Sequence, residues 1–139
     1  MIHVQRILYP TDFSSYSNQA YFHAVALAKA HGASLAVMYV IDPARKVPSP
    51  EGVEPREYWR SQLEQIRPVD ESIPVSHILA EGDPAEQIVA RARDGRMSLV
   101  VMGTHGRTGL ERLLMGSVAE RVLREAPCSV LVVKIPRAA

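Results

Sequence analysis

Three glycines fall within the seven residues Gly103-Thr104-His105-Gly106-Arg107-Thr108-Gly109, and nine residues separate Gly106 from a Gly116-Ser117 pair. Glycine lets backbone amides approach a ligand closely, and amides oriented at a helix start attract an anion such as phosphate. The chemistry indicated is phosphate binding. The segment is not a Walker A loop, because no Gly-Lys-Ser/Thr follows, and it lacks the GxGxxG of the dinucleotide fingerprint. Gly103 and Gly109 also suit simple turns, but turn chemistry does not require the spacing to Gly116-Ser117. Ser117 is a good N-cap for the helix that follows, a role compatible with phosphate contact. Arg107 is either a phosphate ligand or a solvated loop charge.

Acidic residues stand at similar places elsewhere, in Pro10-Thr11-Asp12, Asp42-Pro43 and Glu81-Gly82-Asp83-Pro84. An Asp just beyond a strand either caps the next helix or bonds a ribose hydroxyl, and taken alone capping is the commoner role. His105 has no carboxylate partner near it in sequence, so it suits packing better than acid-base catalysis. The five histidines show neither HxxxH nor HExxH spacing, which argues against a metal site made wholly of protein ligands. Magnesium can still arrive with a nucleotide, held mostly by phosphates, with Asp12 or Asp42 as an outer partner. Cys128, between Pro127 and an apolar run, reads as a small core residue rather than a nucleophile. No G-x-S-x-G elbow or Ser-His-Asp order is present, and no catalytic residue is assigned.

These residues need elements to position them. Five β-rich runs are predicted as strands: Arg6 to Tyr9, Ser34 to Ile41, Val75 to Ala80, Ser98 to Gly103 and Ser129 to Ile135. Most are apolar at nearly every position, as in parallel strands covered on both faces. Between them the spacing predicts four helices. The first runs from Ser14 to Ser17 as far as Gly32, with Ala20, Ala24, Leu27 and Ala28 on one side. The third lies between Pro84 and Gly95, with Ala85, Ile88, Val89 and Ala92 on one stripe. The fourth starts near Ser117, places Ala119, Val122, Leu123 and Ala126 together, and stops before Pro127. The second, Pro55 to Arg67, is short and polar; with the proline-rich stretch from Pro43 it is expected to be a surface excursion. The alternation gives one α/β domain over residues 1–139: a five-stranded parallel sheet flanked by helices, a Rossmann-like open sheet. In such a sheet, ligands bind beyond the carboxyl ends of the strands, where these loops lie.

Composition narrows the partners. Sixteen basic against fifteen acidic residues leave a net charge of +1, which favours neither nucleic acid nor an anionic membrane. Arg112, Arg121 and Arg124 with Glu111, Glu120 and Glu125 form a mixed-charge face rather than a basic patch. Leu35 to Ile41 is far short of the ~20 residues that span a bilayer, and the N-terminal segment lacks a signal peptide's apolar core. With a single cysteine and so no intrachain disulfide, a cytoplasmic protein is expected.

Gly103-x2-Gly106-x9-Gly116-Ser117 resembles the ATP-binding signature of the universal stress protein family, G-2x-G-9x-G-S/T, at full spacing. The opening RILYPTDFSS, the strand end YVIDP and the run VVMGTHGRTGLERLLMGSVAERVLREAPCSVLVVK resemble that family too, and residues 43–67 fit it least. The resemblance implies sheet order 3-2-1-4-5, which sets strands one and four side by side and brings Asp12 to the glycine loop. It implies ribose or adenine contact at Asp12, beside Pro10 and Thr11, and adenine contact from the main chain at Val40. It puts Gly103, Gly106, Arg107, Gly116, Ser117 and Val118 in the phosphate and ribose part of the site, with Met102 also among the nucleotide-binding residues. Ala119 departs from the pattern, standing where ATP-binding relatives often carry a hydroxyl. The implied function is ATP binding, with magnesium, by a nucleotide-dependent regulatory or interaction protein of the stress response with at most slow ATPase activity. Alternatives are a nucleotide-independent interaction module of the same fold and an adenine-nucleotide-using enzyme with a second-substrate pocket in residues 43–67. Family members commonly dimerise through the last strand, so a homodimer built on Val130, Leu131, Val132 and Val133 is expected, with an unidentified protein partner.

Overall fold

A computed structural model of the chain describes residues 3–45, 49–104 and 116–134. Strands and helices alternate as β1 (Arg6–Pro10), α1 (Ser15–His31), β2 (Ser34–Ile41), α2 (Pro55–Glu64), β3 (Val75–Glu81), α3 (Pro84–Asp94), β4 (Leu99–Gly103), α4 (Ser117–Glu125) and β5 (Ser129–Val133). All strands pair in parallel, in the order β3-β2-β1-β4-β5. The Rossmann-like α/β expectation and the 3-2-1-4-5 order both hold.

Near-continuous apolar strands feed two cores, because successive side chains point to opposite faces. On β2, Leu35, Val37 and Tyr39 enter the core shared with α1 and α2. Ala36, Met38 and Val40 enter the core shared with α3 and α4. Ala20, Ala24 and Ala28 let α1 lie close to the sheet on its buried stripe. The ends of α1 follow the sequence. Ser14 Oγ accepts from Ser17 N, and Gly32 closes the helix in the left-handed region, where its missing Cβ avoids a steric penalty.

Four expectations are corrected. The segment expected to be a polar surface excursion contributes to the core, since Trp59 and Leu63 of α2 are buried one helical turn apart. That helix ends at Glu64, short of Arg67. Leu123, placed on the buried stripe of α4, is 47% exposed, because it lies about 100° round the helix from the inward-facing Val122. The N-cap of α4 is Gly116, so Ser117 is the first helical residue and does not cap it. Strand ends shift slightly: β3 extends to Glu81, β4 begins at Leu99 and β5 ends at Val133, with Ile135 outside the described residues. Among the described residues no helix is long and apolar enough to cross a membrane.

Candidate functional site

At the carboxyl ends of the strands, where the chain leaves β1 and β4 on opposite sides of the sheet's midline, a cleft of about 260 Å³ opens. Its lining includes Pro10, Thr11, Asp12, Val40, Met102, Gly103, Gly116, Ser117 and Val118, so nine expected site residues come together from four separate loops and strand ends. Gly106, Arg107 and Gly109 lie outside the described residues, as does His105.

The loop after β1 is held by short bonds. Thr11 N donates to Met38 O at 2.8 Å, tying the loop to β2. Thr11 Oγ1 accepts from Phe13 N at 3.0 Å and from Ser17 Oγ at 2.7 Å. Beneath it, the buried Tyr9 hydroxyl donates to Ser17 O at 2.7 Å. Burial outweighs these hydroxyl contacts and raises the Tyr9 pKa, so the phenol keeps its proton. Asp12 Oδ1 accepts from Ser14 N at 2.9 Å. The aspartate shapes the turn before the helix while Ser14 acts as the cap, so the capping alternative for Asp12 does not hold.

The glycine side is built differently. Gly116 N donates to Thr104 O, and Thr104 N donates to Val133 O at 3.1 Å, which hangs the start of α4 on the ends of β4 and β5. Gly116 has φ −73° and ψ 160°, a conformation open to any residue, so backbone geometry does not call for glycine here. What glycine supplies is the absence of a side chain beside the first amides of α4. Side-chain oxygens of Ser14, Glu54 and Asp83 cap the other three helices, whereas among the described residues no side chain caps α4. An uncapped helix start with its dipole facing a cleft suits an anionic group.

Further residues line the cleft. Met38, Ile88 and Ala119 join Val40 and Met102 as an apolar wall suited to a planar base. Asp42, Arg45, Asp83 and Pro84 also line the cleft. Asp42 Oδ1 accepts from Ala44 N at 2.9 Å, and Asp83 Oδ2 accepts from Glu86 N at 3.0 Å. Asp83 also receives the Arg121 guanidinium at 2.8 Å, and that arginine reaches Glu125 at 3.0 Å. Asp42 and Asp83 follow strands in sequence, which was the available signal; Arg45 carries no motif and reaches the cleft only through the fold. Ala119 is buried in the wall and brings no hydroxyl to it. Cys128 is half-buried beside the same core, and burial raises its thiol pKa.

The model of the universal stress protein family matches residues 3–134. Universal stress protein MJ0531 of Methanocaldococcus jannaschii is 39% identical over 142 residues, spanning 96% of this chain and 84% of that protein. The solved structure of protein MJ0577, described as a structure-based assignment of biochemical function, superposes with a TM-score of 0.77 at 28% identity and covers 99% of this chain and 100% of its own. Two more distant structures share the fold. One is a universal stress protein in complex with cAMP, with a TM-score of 0.69, 21% identity and coverage of 94% of this chain and 97% of its own. The other is the Archaeoglobus fulgidus protein in complex with dAMP, with a TM-score of 0.64, 22% identity and coverage of 96% and 100%.

Proposed function

The chain belongs to the universal stress protein family, and from that premise we propose that its cleft binds an adenine nucleotide, ATP with magnesium, to regulate an interaction of the protein. The observation that carries this reading is the meeting of Asp12 and Val40 with Gly103 and the uncapped Gly116-Ser117 helix start in one cleft. The apolar wall takes the base, Asp12 takes the ribose or base edge, and the amides at the start of α4 take phosphate. Magnesium travels with the phosphates, with Asp12 or Asp42 as outer partners. The cAMP and dAMP complexes of the two fold neighbours support the choice of adenine nucleotides as a class. Among the described residues that line the cleft none stands out as a base to activate water, and the proposal includes turnover that is slow at most.

Calorimetric titration of nucleotide-stripped protein with ATP and magnesium tests the reading, with cAMP and AMP as parallel ligands and Gly116→Val as the blocked variant. Binding in the micromolar range, near −8 kcal/mol, that Gly116→Val abolishes is the expected result. A folded wild type that gives no heat at millimolar ATP defeats it and favours the nucleotide-independent interaction module, the reading to which the missing hydroxyl at Ala119 points. The enzyme alternative has less to stand on, since among the described residues of 43–67 only Arg45 lines the cleft.

Dimerisation through β5 belongs to the same proposal. Among the described residues this strand pairs only with β4 and nothing pairs with its outer edge, where Leu131 is 36% exposed. A cytoplasmic location fits a chain with one cysteine.

A further inference from the structure

Phe13 directly follows Asp12 and has φ 63°, in the left-handed region that bulky side chains rarely enter. Such a conformation persists where the surroundings over-determine it. Two sets of contacts do so here. The amide of Phe13 donates to Thr11 Oγ1 at 3.0 Å. Its ring closes a triangle with Tyr39, 4.9 Å away, and Trp59, 5.3 Å away, whose own centroids are 5.0 Å apart. Tyr39 immediately precedes Val40 of the cleft wall, and Trp59 is the buried anchor of α2, with Tyr58 edge-on against it at 4.9 Å. The stack therefore joins the Asp12 loop to α2, the helix of the segment that fits the family pattern least.

We propose that Phe13 is a positioning residue: the Tyr39–Trp59 clamp on its ring fixes the left-handed turn that sets the Asp12 carboxylate in the cleft, and couples occupancy of the cleft to α2. A relaxed right-handed turn at Phe13 would redirect the bond from Ser14 N to Asp12 Oδ1, and the carboxylate with it. This role rests on the nucleotide reading of the cleft.

The experiment titrates nucleotide-stripped protein with ATP and magnesium by calorimetry while following emission from Trp59, the single tryptophan. The wild type is expected to bind with a change in Trp59 emission at saturation. Phe13→Leu, which keeps apolar bulk and removes the ring, is expected to lose roughly tenfold in affinity and the emission change while keeping its circular dichroism spectrum. Phe13→Tyr, which restores a ring, is expected to recover affinity to within about threefold. A folded Phe13→Leu that binds like a wild type that itself binds ATP overturns the positioning role and leaves the nucleotide reading intact. A wild type that gives no heat removes that reading, and this role with it. Binding without any change in Trp59 emission overturns the coupling to α2. Should Phe13→Leu not fold, Trp59→Leu removes the clamp from the α2 side: weaker calorimetric affinity supports the proposal, and unchanged affinity overturns it.

Discussion

At the scale of single residues, Asp12 places one carboxylate in both the turn before α1 and the cleft. Its Oδ1 accepts the Ser14 amide, and the residue lines the cleft. Asp12→Asn keeps an acceptor for Ser14 N and removes the charge, whereas Asp12→Ala removes both. On the nucleotide reading, calorimetry should show Asp12→Ala losing about 1.5–3 kcal/mol of ATP affinity, the range for a hydrogen bond to a charged group, with Asp12→Asn falling between it and the wild type. Asp70 offers a pH prediction remote from the cleft. The Ser72 hydroxyl and amide donate to its Oδ1 at 2.6 and 2.9 Å and, with Lys29 at 3.5 Å, hold its pKa below the ordinary 3.8. A carboxylate with a folded pKa below its unfolded one stabilises the fold above the unfolded value, and that contribution is lost as pH falls through the folded value. Thermal midpoints should therefore differ between wild type and Asp70→Asn at neutral pH, and the difference should shrink as pH drops below about 3.8.

Among the elements, α2 best separates what the sequence discloses from what it does not. The parallel strands and the ends of α1 are legible because each rests on local chemistry: apolar runs, a serine cap, a closing glycine. The glycine spacing and Asp12 are legible for the same reason, as both follow strands. The burial of α2 was hidden because only Trp59 and Leu63 carry it within an otherwise polar helix. Arg45 was hidden because its place in the cleft depends on how distant strands align. The α4 cap was misassigned because a serine beside a glycine looks like the cap when its own backbone is already helical. Leu63, 0% exposed, gives this element a measurable weight. Leu63→Ala should cost about 2–5 kcal/mol in denaturant unfolding, a large cost for a helix that composition alone would assign to the surface. The Asp83–Arg121 pair between α3 and α4 should contribute far less, because both side chains are 40% or more exposed.

For the whole molecule, the two sheet edges differ in kind. β3 pairs over seven residues with β2, whereas β5 offers five residues with alternating exposure and an exposed Leu131 near its middle. If β5 is the dimer strand, light scattering should give about twice the 15.4 kDa chain mass, and Leu131→Arg should shift it to the single-chain value without loss of helical signal. The central position of β1 has a different kind of consequence, one that concerns synthesis. Its partners come from opposite parts of the chain, with Ile7 beside Leu35 on one side and beside Leu99 on the other. Long-range pairings of this kind must wait for distant segments and slow folding. On the ribosome, the first two strands and α1 can meet early, but the cleft lacks Met102, Gly103 and Ala119 until β4 and the start of α4 have emerged. On the nucleotide reading, a nascent chain halted before Ser117 therefore holds Asp12 and Val40 without the helix start that would receive phosphate, so the ligand would stabilise the chain only once α4 has emerged.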